Sequence, residues 1–201
     1  MTPGAQTPLA RTELPSDTVP LARRLIGKIL VRQTPEGALT GRIVETEAYP
    51  VGDAAGHAYR GETARNHALF MSAGHAYVYL AYGVSYLLNV SSEAPGVGAG
   101  VLIRALEPLE GIASMQRNRR VQNVRDLARG PGRLTVALDI DRRLDGVDLC
   151  RKGPLWLARD DQDAPDIGTS TRIGLSRETD RLLRFYARDN RFVSGPKTLN
   201  L

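Results

Sequence analysis

Twice in its first half the chain sets two strand-like runs on either side of a tight turn, and nothing else in the sequence restricts the fold as strongly. Residues Lys28–Arg32 and Leu39–Tyr49 flank Pro35-Glu36-Gly37, and the β-rich stretch Tyr77–Val90 is broken at Tyr82-Gly83. Runs of this kind around glycine turns pair as antiparallel hairpins. Further strand patterns fall at Gly100–Leu106, Leu155–Ala158, Arg172–Leu175 and Leu182–Arg188. Helices fit between them. Ser16 or Asp17 can cap a first helix that carries Pro20 in its opening turn, buries Leu21, Leu25 and Ile26, and ends at Gly27. Glu107–Arg120 places Leu109, Ile112 and Met115 on one face, and Gly130–Leu138 reads as a short helix. With no internal repeat and no linker, the fold class is α+β, a single mixed domain over residues 16–201 built on antiparallel strands. Residues 1–15, with three prolines and few large apolar side chains, read as a flexible N-terminal tail.

A chain of 201 residues with 42% hydrophobic and 24% charged residues can bury a real core, which excludes a disordered or fibrous protein. No stretch reaches the roughly 18 apolar residues of a membrane span, and the start lacks the basic and apolar regions of an export signal. An intracellular, cytoplasmic protein is expected. One cysteine, Cys150, excludes an internal disulfide, a cysteine-rich zinc site and a cysteine-held iron–sulfur cluster. Cys150 and Trp156 are assigned to packing. The net charge is +5, and of 27 basic residues three are lysine (Lys28, Lys152, Lys197) and the rest arginine. The planar guanidinium suits phosphate and stacks on bases, so the balance leans toward a polyanionic partner. A G+C-rich genome would produce the same bias.

Two constellations can carry chemistry. Along the strand Arg42–Tyr49, alternation sends Ile43, Glu45, Glu47 and Tyr49 to one face. Carboxylates on a partly apolar strand are costly to bury unless paired or used. A solvent-facing edge strand, or pairing of Glu45 and Glu47 with arginines, is the plainer account of these residues alone. His57 follows in a small-residue loop and matters only if it meets Tyr49 in space. Residues 50–74, which hold Arg60, Arg65 and Asn66, read as a long loop of the sort that carries function. The second constellation is Tyr77-Val-Tyr-Leu-Ala-Tyr82-Gly83, since four of the seven tyrosines fall within residues 77–86. A tyrosine-rich core strand is the plain alternative. It explains Tyr82 poorly, because an aromatic at a hairpin tip has little to pack on. Such a side chain can act as a wedge between base pairs, with a stacking slot behind it. Asn89 and Arg104, on neighbouring strand candidates, can bring an amide and a fixed cation to the same place.

The run Gly41–Tyr49, the pair Arg65-Asn66, the segment Tyr77–Ser92, the run Val101–Gly111 and Gly130-Pro131 with Leu134 resemble the alkyladenine (3-methyladenine) DNA glycosylase family. The likeness runs, with gaps, from about Leu21 to Val193. It implies a central, mainly antiparallel curved β-sheet with a protruding β-hairpin and flanking helices, acting as a monomer with no metal and no cofactor. By the same resemblance Glu47 is the catalytic carboxylate that activates water and Arg104 helps to hold that water. Tyr49, His57 and Tyr79 would sandwich an extruded base, and Asn89 would obstruct the exocyclic amine of guanine. Tyr82 would enter the minor groove and fill the vacated space. Ser85 departs from the pattern where an aromatic is expected, and the loop from Asn89 to Arg104 is slightly long.

The partner implied is double-stranded DNA containing damaged purines, and no membrane. The reaction implied is hydrolysis of the N-glycosidic bond of an alkylated or deaminated purine, leaving an abasic site. The motifs contain no lysine for a Schiff-base step. A non-catalytic damaged-DNA or RNA binding module on the same fold remains the alternative, and a zinc deaminase does not fit a single cysteine.

Overall fold

The computed structural model describes residues 6–160 and 165–200. Its strands are β1 (Ile29–Thr34), β2 (Gly37–Tyr49), β3 (Ala76–Ala81), β4 (Ser85–Ser91), β5 (Gly100–Glu110), β6 (Leu155–Ala158), β7 (Ile167–Ser170) and β8 (Arg184–Ala187). They form one sheet in the order β3-β4-β5-β2-β1-β6, with β8 joining β2 and β7 joining β8, and the pairings are antiparallel. The central strand β2 is too long for a single partner on one side. Its first half pairs with β1 and its residues Glu45–Glu47 pair with Tyr186–Arg184 of β8, while β5 runs along its other edge. Register shifts against β5 around Glu45 insert bulges, which bend the strand and curve the sheet. Three helices, α1 (Thr18–Leu25), α2 (Ile112–Arg119) and α3 (Pro131–Ala137), pack about it. Alternation along β1 divides the core: Leu30 joins the main cluster with Leu21, Leu25, Ile43, Ile103 and Leu106, and Ile29 and Val31 join a second cluster with Trp156. Cys150 packs against the main cluster, and burial pushes its thiol pKa up to about 11.

Several boundaries differ from the sequence expectation, each for a physical reason. The tail expected over residues 1–15 is packed from Pro8 onward: Pro8 bridges to Ala158, the Leu9 amide donates to Leu157 O, and Leu9 is fully buried. Residues 1–5 of that tail lie outside the described residues. Asp17 stands at the N-cap of α1 without a side-chain bond. The distant Glu93 caps instead, accepting from Thr18 N at 2.8 Å and Thr18 Oγ1 at 2.5 Å. Glu107–Glu110 continues β5 rather than opening a helix, because Glu107 pairs with Arg42 across the sheet. Gly111, at φ +74, turns the chain into α2. No strand forms at 172–175: Arg172 turns inward to an ion pair and the segment runs as an irregular loop after β7.

Candidate active site

A cavity of about 440 Å³ opens beside the β3–β4 hairpin, within the roughly 300–1,000 Å³ typical of small-molecule sites. Several separate segments wall it: the loop 49–60, Leu69, residues of the β3–β4 hairpin, residues 98–100, and residues 174–177. Tyr49, His57, Tyr77, Tyr79, Tyr82 and Asn89 all line it. His57 and Tyr79 lie ring to ring at 4.3 Å, and Tyr79 stacks on Tyr77 at 5.2 Å. His57 Nδ1 is hydrogen-bonded to Tyr77 OH at 2.9 Å, which fixes the imidazole plane. His57 is exposed at the cavity mouth, yet loss of water against the two tyrosines, together with the Arg65 charge, holds its pKa below the usual imidazole value. Burial pushes the Tyr77 phenol up to about 12, so it stays a neutral partner. Asn89 pairs with Tyr77 across the hairpin, and its amide donates to Tyr77 O at 3.4 Å. His57 and Tyr49 line the same cavity.

Behind Tyr49 lies a charged layer. Glu47 Oε1 accepts from the Ile173 amide at 2.7 Å and meets Arg104 Nη1 at 3.2 Å, while Oε2 accepts from Tyr49 OH at 2.9 Å. Burial and the Glu47 charge both raise the Tyr49 pKa well above the usual phenol range, so Tyr49 is the donor. Glu45 sits one step along the same face. It accepts from Arg104 Nε at 2.8 Å, Arg184 Nε at 2.7 Å, Ser194 N at 2.6 Å and Ser194 Oγ at 3.0 Å. Burial lowers the Arg104 pKa, but the charges of Glu47 and Glu45 outweigh it and the net shift is upward. Glu47 is fully buried and does not line the cavity, because the Tyr49 hydroxyl and the Ile173 backbone cover its oxygens.

The hairpin tip is the most exposed apolar feature. Tyr82 is 93% exposed and Val84 82%, with Tyr82 at φ +51 and Gly83 at φ +69. Val84 N donates to Ala81 O at 3.0 Å, so the turn has two left-handed central residues, the form that matches strand twist. The outer edge of β3 is protected by side chains: Asp145 accepts from Val78 N, Arg142 donates to Val78 O, and Arg65 donates to Leu80 O. Exposed Arg60 and Arg177 line the cavity mouth. Among the described residues no cluster of three or more metal-ligating side chains forms, and no helix is long and apolar enough to cross a membrane.

Residues 12–191 match the family model for methylpurine-DNA glycosylase. The chain belongs to that family. A Mesorhizobium japonicum relative is 69% identical over 192 residues, covering 96% of this chain and 92% of its own length. A Paraburkholderia phytofirmans relative is 53% identical over 96% of this chain and 90% of its own. A third, from Methanoculleus marisnigri, is 45% identical over 89% of this chain and 94% of its own. All three are named, provisionally, as 3-methyladenine DNA glycosylases.

In this glycosylase the sequence-expected residues fall in two layers. Tyr49, His57, Tyr79, Asn89 and Tyr82 share the cavity, and Glu47 with Arg104 stands behind it. Sequence reasoning missed the wall Gly174–Arg177 and the residues that hold it. Asp53 and Arg172 form a fully buried ion pair joining the loop after β2 to the segment before that wall. The signal available was Asp53 in a run of small residues, which gave no partner to look for.

Proposed function

We propose that this protein is a monofunctional, monomeric glycosylase. It turns alkylated or deaminated purines out of duplex DNA and hydrolyses the N-glycosidic bond with water activated by Glu47, without metal or cofactor, in the cytoplasm. The observation that carries the reading is Tyr82, almost wholly exposed on a strained turn at the lip of an aromatic cavity. An exposed ring in that position suits insertion into the stack. Extrusion costs a few kcal/mol, and stacking returns roughly 1–3 kcal/mol per base, so Tyr49 against the His57–Tyr79 pair can offset it. Asn89 opposes the exocyclic amine of guanine. Glu47 takes a proton from water as the water oxygen bonds to C1′. The C1′–N bond breaks with its electron pair leaving on the base, and the carboxylate steadies the positive sugar. Access requires the Tyr49 hydroxyl to give up Glu47 Oε2, so that a water can donate there instead. Among the described residues no lysine lines the cavity, which supports simple hydrolysis over a Schiff-base route.

The burial of Glu47 favours a second reading, a module that binds damage and releases nothing. One assay separates the two: free-base release from alkylated and hypoxanthine-containing duplexes. Wild-type protein is expected to release base. Glu47→Gln should still bind while release falls by about a hundredfold or more, as positioned proton transfer is worth about 10²–10⁴. Turnover near wild type in that variant removes Glu47 from the mechanism, and a wild type that binds without releasing establishes the second reading.

A further inference from the structure

We infer that Arg172 is a positioning residue for base excision, setting both the Tyr49 ring and the Glu47 carboxylate through one buried guanidinium. The inference rests on the glycosylase reading above. Arg172 Nη1 donates to Asp53 Oδ2 at 2.6 Å and to Ala48 O at 3.0 Å, and Nη2 donates to Asp53 Oδ1 at 3.2 Å. Ala48 is the residue between Glu47 and Tyr49, so the guanidinium grips β2 at the point that carries both functional side chains. Its Cζ lies 4.6 Å from the centre of the Tyr49 ring, and Arg172 itself does not line the cavity. The cation therefore supports the ring from outside the base-binding space. The next residue, Ile173, supplies the amide that holds Glu47 Oε1. Asp53 also accepts from the Ala55 amide at 2.9 Å and from Arg181 Nη1 at 3.3 Å, which ties the His57 loop to both ends of the 172–181 segment.

Stability alone does not account for this arrangement. Buried ion pairs are often no better than apolar side chains of equal volume. The Arg172 Nε–H is buried without a partner, a further penalty that an apolar residue would avoid. What an apolar residue could not do is hold Asp53, Ala48 and the Tyr49 ring at once. A planar fork with several donors can.

The test is Arg172→Met, with two readouts. The single-turnover rate constant for base release should fall at least about twentyfold, since an ångström's misplacement costs on the order of a hundredfold. Affinity for a duplex with an abasic-site analogue, which leaves the base cavity empty, should change less than about twofold because phosphate contacts dominate it. Independently of activity, the Ile173 amide should exchange with solvent at least about tenfold faster, while the core amides of Leu30 and Val31 stay protected. A wild-type rate constant with wild-type Ile173 protection overturns the inference, as does a common fall in release, affinity and core protection. If Arg172→Met does not fold, Asp53→Asn with Arg172→Gln removes both charges together and is measured in the same way. Failure of that variant to fold also overturns the inference, since the pair would then hold the domain rather than the site. A wild type that releases no base defeats the proposed function instead, and Ile173 exchange still decides whether Arg172 positions the carboxylate.

Discussion

Glu45 shows how much one buried charge can be made to depend on its surroundings. Its carboxylate is fully buried and accepts from two guanidiniums, one amide and one hydroxyl. Burial works to raise its pKa, but Arg104 and Arg184 outweigh it and hold the group below the usual carboxylate range. A carboxylate with a lowered folded pKa contributes stability that is complete above the unfolded value and is lost as pH falls through the folded one. The protein should therefore weaken on acidification below the ordinary glutamate pKa of about 4.3. Glu45→Gln should cost about 3–5 kcal/mol at neutral pH and flatten that acid limb, because two arginines lose their buried partner. Denaturant unfolding across pH 3–7 measures both, and an acid limb as steep as in wild type would assign it to other groups. Alternation along β2 was enough to place Glu45 and Glu47 on one face. Their partners were not legible, since Arg184 and Ser194 arrive from the far end of the chain through the β2–β8 pairing. Both carboxylates proved to be paired with arginine, and Glu47 lies behind Tyr49 rather than open to the cavity.

At the level of the element, the β3–β4 hairpin and the β5–α2 junction were legible to different degrees. Tyr82-Gly83 was readable as a tip because glycine and alternation agree there, and the turn found has both residues left-handed. Holding a tyrosine in that region costs on the order of 1 kcal/mol or more, and the ring packs on almost nothing. Tyr82→Ala should thus leave the unfolding free energy within about 0.5 kcal/mol of wild type. Binding to a duplex with an abasic site should weaken by about tenfold or more, part of what a stacked ring returns. Equal affinity for the two proteins would count against the wedge. The β5–α2 junction was misread, because Leu109, Ile112 and Met115 mimic a helical face across a boundary that only tertiary pairing reveals. Gly111 makes that boundary: at φ +74, an added Cβ would lie 2.4 Å from Leu39 Cδ2 and 2.8 Å from Ala38 O. Gly111→Ala should therefore cost at least about 1–2 kcal/mol, combining left-handed backbone strain with overpacking, and thermal unfolding would register it. A midpoint unchanged from wild type would mean that the junction relaxes freely.

Across the whole molecule, the site is an assembly of segments far apart in sequence, and the charge is arranged around it. The hairpin supplies Tyr82, the end of β2 and the loop after it supply Tyr49 and His57, and the segment before β8 closes a further side. Cations ring this opening: Arg60 and Arg177 at the mouth, and Arg65 and Arg142 along the outer edge of β3. A duplex whose stack receives Tyr82 must pass its backbone over the mouth, so these arginines are placed to meet phosphate. Each such contact releases counterion and steepens the salt dependence by roughly 0.9 in log K against log salt. Arg177→Gln should reduce that slope by about 0.9 and weaken binding alike for damaged and undamaged duplexes, because a phosphate contact carries no base information. It should leave the single-turnover rate constant near wild type at saturating protein. Fluorescence anisotropy between 50 and 200 mM salt, a range in which a several-phosphate contact shifts affinity by orders of magnitude, resolves a change of that size. A slope unchanged from wild type would remove Arg177 from the DNA track. A loss confined to damaged duplex would place its guanidinium on the extruded nucleotide instead of on the backbone.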